Sequence, residues 1–331
     1  MQQRKIGPFS VSAIGLGCMN MSAGYGPRPS SEYAGRLLNQ ALDQGCTFLD
    51  TAAMYGMGHN EELIGTHLAT RREEYVLASK CGIFKNAEGK TEINGRPEVL
   101  QKTCEDSLRR LKTEVIDLYY LHRPDANVPI EESVGALSMM VEQGKVREVG
   151  LSEVSDDTLR RAHATYPIAA LQSEYSLWSR TPERKVLKSC AELGITFVAF
   201  SPLGRQFLTG KSSDVCSLSE TDYRSTIARP RFEPDNFVEN SKLLLPFAEI
   251  AQQQNCSLAQ LALAWLLAQG ESVIPIPGTK HINYMTENMQ AVGVKLDQDT
   301  VAVLGALINE QSVSGERYTP ELMRASDAER D

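Results

Sequence analysis

The chain has 331 residues, of which 42% are apolar and 23% charged, and carries a formal charge of -8 at pH 7. A chain of this length buries a large core without a metal or disulfide to hold it, and fits either one large domain or two ordinary ones. The acidic balance argues against a nucleic-acid surface, because a phosphate backbone demands a basic stripe that releases counterions, and a small phosphate-bearing ligand would need a local basic pocket.

A short N-terminal hairpin is expected first, and from Ala13 onward short apolar runs alternate with amphipathic segments, the pattern of a parallel sheet covered by helices. The candidate strands are Ala13 to Gly17, Thr47 to Asp50, Tyr75 to Lys80, Val115 to Leu121, Val146 to Ser152, Ile168 to Ser173, Thr196 to Phe200 and Ser272 to Ile276. After the first, Ala34, Leu37, Leu38, Ala41 and Leu42 make a helical stripe that stops at Gly45. Later, Ile130, Val134, Leu137 and Val141 share one face of a segment that stops at Gly144. Eight such units without an internal linker favour a single (β/α)8 barrel domain over residues 1–331, with an open doubly wound sheet as the alternative. Residues 201 to about 235 read as a long functional loop after the seventh strand, and 311–331 as a polar, solvated tail.

Seven cysteines, Cys18, Cys46, Cys81, Cys104, Cys190, Cys216 and Cys256, are an odd number with no pair at the spacing of a zinc or redox site. They read as reduced thiols, and the start of the chain has no apolar run that suits a signal peptide or membrane span, so a soluble cytoplasmic protein is expected. Gly15-Leu16-Gly17 does not continue into a dinucleotide fingerprint, because Asn20 follows and the next helix starts near Ser31. His122-Arg123-Pro124-Asp125 lacks the companions of a kinase catalytic loop. His59 and His67 lack the spacing of a zinc protease, and no metal is expected.

In a barrel the reactive groups stand at the carboxyl ends of strands. Asp50, Lys80 and His122 each end an apolar run, and Tyr55 lies in the loop after Asp50. A free phenol, with a pKa of about 10, is a poor acid near neutrality unless a neighbouring cation stabilises the phenolate. Lys80 suits that task, Asp50 would keep the lysine charged and fixed, and His122 could hydrogen-bond a carbonyl oxygen gaining negative charge. Singly, each has an ordinary structural reading: a strand-end Asp or Lys as half of a rim ion pair, a lone His as a satisfied core residue. Gly278-Thr279-Lys280 separates a strand from a helical segment whose amino end, with the lysine, favours an anion, although a plain loop with an exposed lysine reads equally well.

The flanking sequence resembles the aldo-keto reductase superfamily: DTAAMYG from Asp50 to Gly56, Lys80, LHRPD from Leu121 to Asp125, GLSEVS from Gly150, LQSEYSLWSR from Leu171, AFSPLGRQFLTG from Ala199 and IPGTKHINYMTEN from Ile276. The likeness covers nearly the whole chain and looks closest to the branch with pyridoxal reductases, perakine reductase and auxin-induced reductases. The resemblance implies a TIM barrel with Asp50, Tyr55, Lys80 and His122 as a catalytic tetrad. It implies that Ser152 and Gln172 hydrogen-bond a nicotinamide amide and that Phe200 stacks on its ring. Ser201, Leu203, Gly204 and Arg205 would wrap the pyrophosphate, Gly278, Thr279 and Lys280 the adenosine phosphate, and Glu287 and Asn288 would reach the adenine. NADPH is then expected over NADH. Departures from the family pattern are Glu153 in place of a frequent Asn, Phe200 in place of a stacking Tyr, His281 where an Arg is frequent, and Asn20 in place of a Gly.

The expected activity is reduction of a small-molecule aldehyde or ketone, in a pocket lined by Met21, Tyr25, Met54, Phe84, Arg123 and Trp178. Its apolar and aromatic members suit an apolar or aromatic aldehyde, and Arg123 leaves room for an anionic group. Two other readings stay open on the sequence: a cofactor-binding sensor or partner subunit, as in channel beta subunits that resemble this superfamily, and an aldolase-like barrel with Lys80 as Schiff base.

Overall fold

In the computed structural model, which describes residues 2–86, 88–211 and 215–331, the chain opens with an antiparallel hairpin of β1 (Gln3–Ile6) and β2 (Phe9–Ser12). Then come β3 (Leu16–Gly17), β4 (Phe48–Asp50), β5 (Val76–Cys81) and a side hairpin of β6 (Ile83–Lys85) and β7 (Thr91–Ile93). The remaining strands are β8 (Ile116–Leu121), β9 (Val146–Ser152), β10 (Ala170–Glu174), β11 (Thr196–Phe200) and β12 (Val273–Pro275). Eight of these form one parallel sheet in the spatial order β3-β4-β5-β8-β9-β10-β11-β12.

The sheet closes into a (β/α)8 barrel. Gly15 N–H donates to the Pro275 carbonyl at 3.0 Å, Gly17 N–H to Pro277 at 3.3 Å, and Gly17 bridges Gly278 in parallel. A Cβ on Gly17 would lie 2.8 Å from the Ile276 carbonyl oxygen, so the seam admits only glycine there. The first candidate strand is shorter than expected, and just before it side chains stand in for ladder bonds: Ser12 N–H donates to Thr47 Oγ1 at 2.8 Å, and Thr47 N–H donates to Ser12 Oγ at 3.0 Å.

Helices pack outside. Ser31–Asp43 starts where Ser30 Oγ accepts from Tyr33 N–H at 3.2 Å, and it buries the stripe from Ala34 to Leu42. Ile130–Glu142 buries Ile130, Val134, Leu137 and Met140 and ends before Gly144, whose φ is 72°.

Inside the barrel, Phe48, Ala78, Leu118, Tyr120, Ala170, Val198 and Ile274 form a separate apolar cluster with Ile6 and Val11 of the hairpin. Side chains alternate along a strand, so the position two residues beyond an interior residue faces the same space. That rule carries Phe48 to Asp50, Ala78 to Lys80, Tyr120 to His122, Gly150 to Ser152, Ala170 to Gln172 and Val198 to Phe200. The strand ends therefore deliver six side chains to one mouth.

The loop after β11 contains helical turns at Phe207–Thr209 and Arg229–Phe232, and residues 212–214 of it lie outside the described residues. The solvated tail expected for 311–331 is corrected. Arg317 is 4% exposed, Tyr318, Asp327 and Ala328 are buried, and Pro320–Ala325 is helical. The carboxylate of Asp327 accepts from the Ser155 amide at 2.8 Å, and that of Asp331 from the Asp156 amide at 3.0 Å. These amides open the helix Asp156–Thr165, whose free N–H groups and dipole attract an anion. Among the described residues no helix is long and apolar enough to cross a membrane.

Candidate active site

Lys80, from the end of β5, is fully buried at the centre of the mouth. Its ammonium donates to Asp50 Oδ1 at 2.5 Å, to the Thr51 carbonyl at 2.8 Å and to Tyr55 Oη at 3.2 Å. The other Asp50 oxygen accepts from Gln172 Nε2 at 2.7 Å. The Tyr55 ring meets the His122 imidazole edge to face, with centroids 5.8 Å apart. His122 Nδ1 is buried and has no hydrogen-bond partner among the described residues. The four side chains expected to act together thus stand together.

Burial dominates the electrostatics. It pushes the Tyr55 phenol above its ordinary value, with Lys80 pulling the other way. It would lower Lys80, but Asp50 and Tyr55 outweigh it and the ammonium is held more firmly than usual. Burial, with Lys80 and Arg123 nearby, drives His122 well below the usual imidazole range, so the ring is neutral at pH 7. A charged lysine with three hydrogen bonds is a poor Schiff-base nucleophile.

Ser152 and Gln172 are register partners on β9 and β10, and Phe200 ends β11 with its ring half-buried. Ser152 Oγ accepts from Arg123 Nη1 at 3.0 Å, which leaves its hydroxyl proton to donate. A hydroxyl donor, a carboxamide oxygen and an aromatic face on three adjacent strand ends match the amide and ring of a nicotinamide, so the residues fit that group. Beyond Phe200 the chain turns tightly, with positive φ at Ser201, Gly204, Arg205 and Gln206. A Cβ on Gly204 would come 2.9 Å from Trp178, so the turn is seated directly on that indole. Leu203 is half-buried against the core.

Gly278 and Thr279 lead into the helix Ile282–Gln290. Lys280 Nζ donates to the carbonyls of Tyr25 and Pro27, both at 2.8 Å, which leaves one proton for an anion. Asn20 ties the first loop to this segment through Nδ2 to the Gly278 carbonyl at 3.2 Å. His281 is exposed and packs edge-on against Tyr284. Glu287 is half-buried 3.9 Å from Lys211, and Asn288 is 3% exposed.

Several of the expected site residues are buried among their neighbours. The Arg205 guanidinium is buried, donates to Glu174 Oε2 at 2.7 Å and lies over Tyr318. Trp178 is buried, stacks on Phe207 at 4.1 Å and meets Phe232 edge-on. Met21 has no exposure and belongs to the core outside the barrel. An apolar side chain after a strand reads alike whether it faces the mouth or packs behind it. Tyr25, Met54, Phe84 and Arg123 are half-buried, with Tyr25 edge-on to Tyr223. His59 and His67 bond Ser22 and Ser31, each at 2.8 Å.

The sequence reading missed a charged cluster beside the site. Glu153, which stands in place of a frequent Asn, is buried, and its carboxylate accepts from Arg317 Nη2 at 2.6 Å. Arg317 also lies 3.4 Å from Glu174 Oε2. Acidic residues at two buried strand ends, β9 and β10, were a signal that cations must sit nearby.

The aldo/keto reductase family model matches residues 13–309. The Schizosaccharomyces pombe protein named aldo-keto reductase yakc, with NADP(+) in its name, is 46% identical over 324 residues, covering 96% of this chain and 94% of its own. Among solved structures, a glycerol dehydrogenase from Gluconobacter oxydans superimposes with a TM-score of 0.85 at 29% identity, covering 92% of this chain and 94% of its own. An aldo/keto reductase from Klebsiella pneumoniae in complex with NADP and acetate gives 0.71 at 26% identity, over 93% and 95% of the two chains. With the barrel, the four grouped side chains and a family match over most of its length, the chain belongs to the aldo/keto reductase family.

Proposed function

We propose that the protein is an NADPH-dependent carbonyl reductase that converts aldehydes or ketones to alcohols with Tyr55 as proton donor. The observation that carries this reading is the Lys80 ammonium held between Asp50 and the Tyr55 phenol oxygen. When bound, the reduced nicotinamide supplies the hydride.

The chain's own residues do the rest. Tyr55 gives its proton to the substrate oxygen, and Lys80 stabilises the phenolate left behind. Asp50 keeps Lys80 charged and aimed, and Gln172 fixes Asp50 in turn. A neutral His122 offers a ring N–H to the same oxygen and withholds a proton of its own. Ser152, Gln172 and Phe200 would hold the nicotinamide, the backbone of Ser201, Leu203 and Gly204 the pyrophosphate, and Gly278, Thr279 and Lys280 the adenosine phosphate. The cofactor named for the yeast relative and bound in the Klebsiella structure supports NADPH over NADH.

The test is a panel of aldehydes and ketones run with NADPH and NADH side by side, followed by loss of reduced-nicotinamide absorbance. Turnover with NADPH that vanishes in Tyr55→Phe supports the reading. Tight NADPH binding without turnover across the panel overturns it in favour of a cofactor sensor or partner subunit.

A further inference from the structure

Arg317 reaches the cofactor side of the barrel from the C-terminal segment and meets groups belonging to three consecutive strand ends. Nη2 donates to Glu153, directly after Ser152 on β9, at 2.6 Å, and Nη1 lies 3.4 Å from Glu174, two residues past Gln172 on β10. The Arg317 carbonyl accepts from Arg205 Nη1, in the turn after β11, at 2.8 Å. Arg205 closes the ring of contacts by donating to Glu174 at 2.7 Å, and the Tyr318 ring lies 4.7 Å from both guanidinium carbons. On its outer side Arg317 Nε donates to Glu329. All four members of the ring, Glu153, Glu174, Arg205 and Arg317, are buried, and the space left among Glu153, Glu174 and Arg317 is about 10 Å³, no more than a single water needs.

The backbone this cluster grips is strained. Glu153 and Arg205 have φ of 55°, and Ser201 and Gln206 have φ of 49° and 83°, a region unfavourable to residues with a Cβ. Such conformations persist when surrounding contacts over-determine them. Both Glu153 and Arg205 are fixed through their side chains by Arg317, one directly and one through its carbonyl and Glu174. Neither role calls for any contact between Arg317 and a ligand.

We propose that Arg317 is a positioning residue for cofactor binding, which holds the strained Glu153 after β9, the end of β10 and the strained turn after β11 in the arrangement that receives NADPH. The inference rests on the functional reading above. It makes the C-terminal segment part of the cofactor site's support, although that segment lies past the end of the family match.

The test is titration of full-length protein with NADPH, followed by quenching of protein fluorescence, alongside steady-state kinetics. Arg317→Gln is expected to raise the Kd and KM for NADPH about tenfold or more while kcat stays within about threefold. Arg317→Lys, which restores the charge but not the fork, should recover part of the affinity. A purely structural loss would lower kcat through the folded fraction and leave the Kd of the folded protein alone. Should Arg317→Gln not fold, the double variant Glu153→Gln/Arg317→Met removes the pair without leaving that carboxylate unpaired, and it should still bind NADPH about fivefold more weakly. A folded Arg317→Gln, or the double variant, that binds NADPH within twofold of wild type overturns the proposal. Wild-type protein with no NADPH response overturns the functional reading instead, which separates the two failures.

Discussion

Lys80 donates to the phenol oxygen of Tyr55 over 3.2 Å, and the same ammonium lies 4.9 Å from the centre of that ring. The lysine therefore contacts both the site of proton loss and the charge that loss creates. Tyr55→Phe keeps the ring against His122 and removes only the donor, so kcat should fall by about 10²–10⁴-fold with NADPH affinity retained. Lys80→Met should cost a comparable factor. Carbonyl-dependent oxidation of NADPH, read with a separate binding titration, checks both, and a Tyr55→Phe variant as fast as wild type would remove Tyr55 from the donor role.

The pH profile follows from the directions of two shifts. Burial raises Tyr55, so the phenol keeps its proton through neutrality, and reduction declines only as the pH rises past the ordinary phenol range of about 10. Burial with two cations lowers His122, so protonation of the ring interferes only well below about 6.5. A plateau in kcat across the interval between is expected. A basic limb near neutrality would contradict the Tyr55 assignment.

Glu153 links acid stability to the C-terminal segment. Burial alone would raise its carboxyl, but Arg317 and Arg123 outweigh burial and hold it at about 2, against 4.5 when exposed. A depressed carboxyl stabilises the fold fully above about 4.5, and that contribution is lost as the pH falls toward 2. The shift corresponds to about 3 kcal/mol. Urea midpoints of wild type and Glu153→Gln at pH 7 and pH 3 measure it. The variant should be weaker at pH 7, because Arg317 loses a partner, and should lose less stability on acidification. Equal losses in the two proteins would refute the assignment.

Lys280 has one proton left after the carbonyls of Tyr25 and Pro27. If that proton serves the adenosine phosphate, Lys280→Met should weaken NADPH more than NADH and narrow the preference about tenfold. The ratio of the two Kd values is the quantity to read, since loosening of the first loop would affect both cofactors alike. An unchanged ratio would place the selectivity elsewhere.

The barrel was legible because a strand buried on both faces must be apolar along its length. Val146–Ser152 and Thr196–Phe200 coincide with the strands observed, and the polar residues that close other apolar runs, Asp50 and Lys80, stand at the mouth. Asp50, Lys80 and His122 stood out as polar groups closing apolar runs, and Tyr55 by its place in the loop just after Asp50. Arg317 had no such signal: it lies 164 residues from Glu153, in a segment whose mixed charges read as solvated. Trp178 and Met21, both buried, pose a different difficulty. Composition records that a side chain is apolar, but the choice between lining a mouth and packing behind it depends on which way the backbone turns, as at Gly204.

Gln172 donates from its amide nitrogen to Asp50, which fixes the flip of the carboxamide and leaves its oxygen free to accept. A partner group docked between that oxygen and the Ser152 hydroxyl must put its own N–H₂ toward Gln172 and its carbonyl toward Ser152. For a planar ring bearing such a group, fixing the two ends also fixes which of its faces looks toward Tyr55. On the proposed function the bond between Asp50 and Gln172 would act as a stereochemical device, and isotopic label carried on one face of the ring should pass wholly to product or be wholly retained.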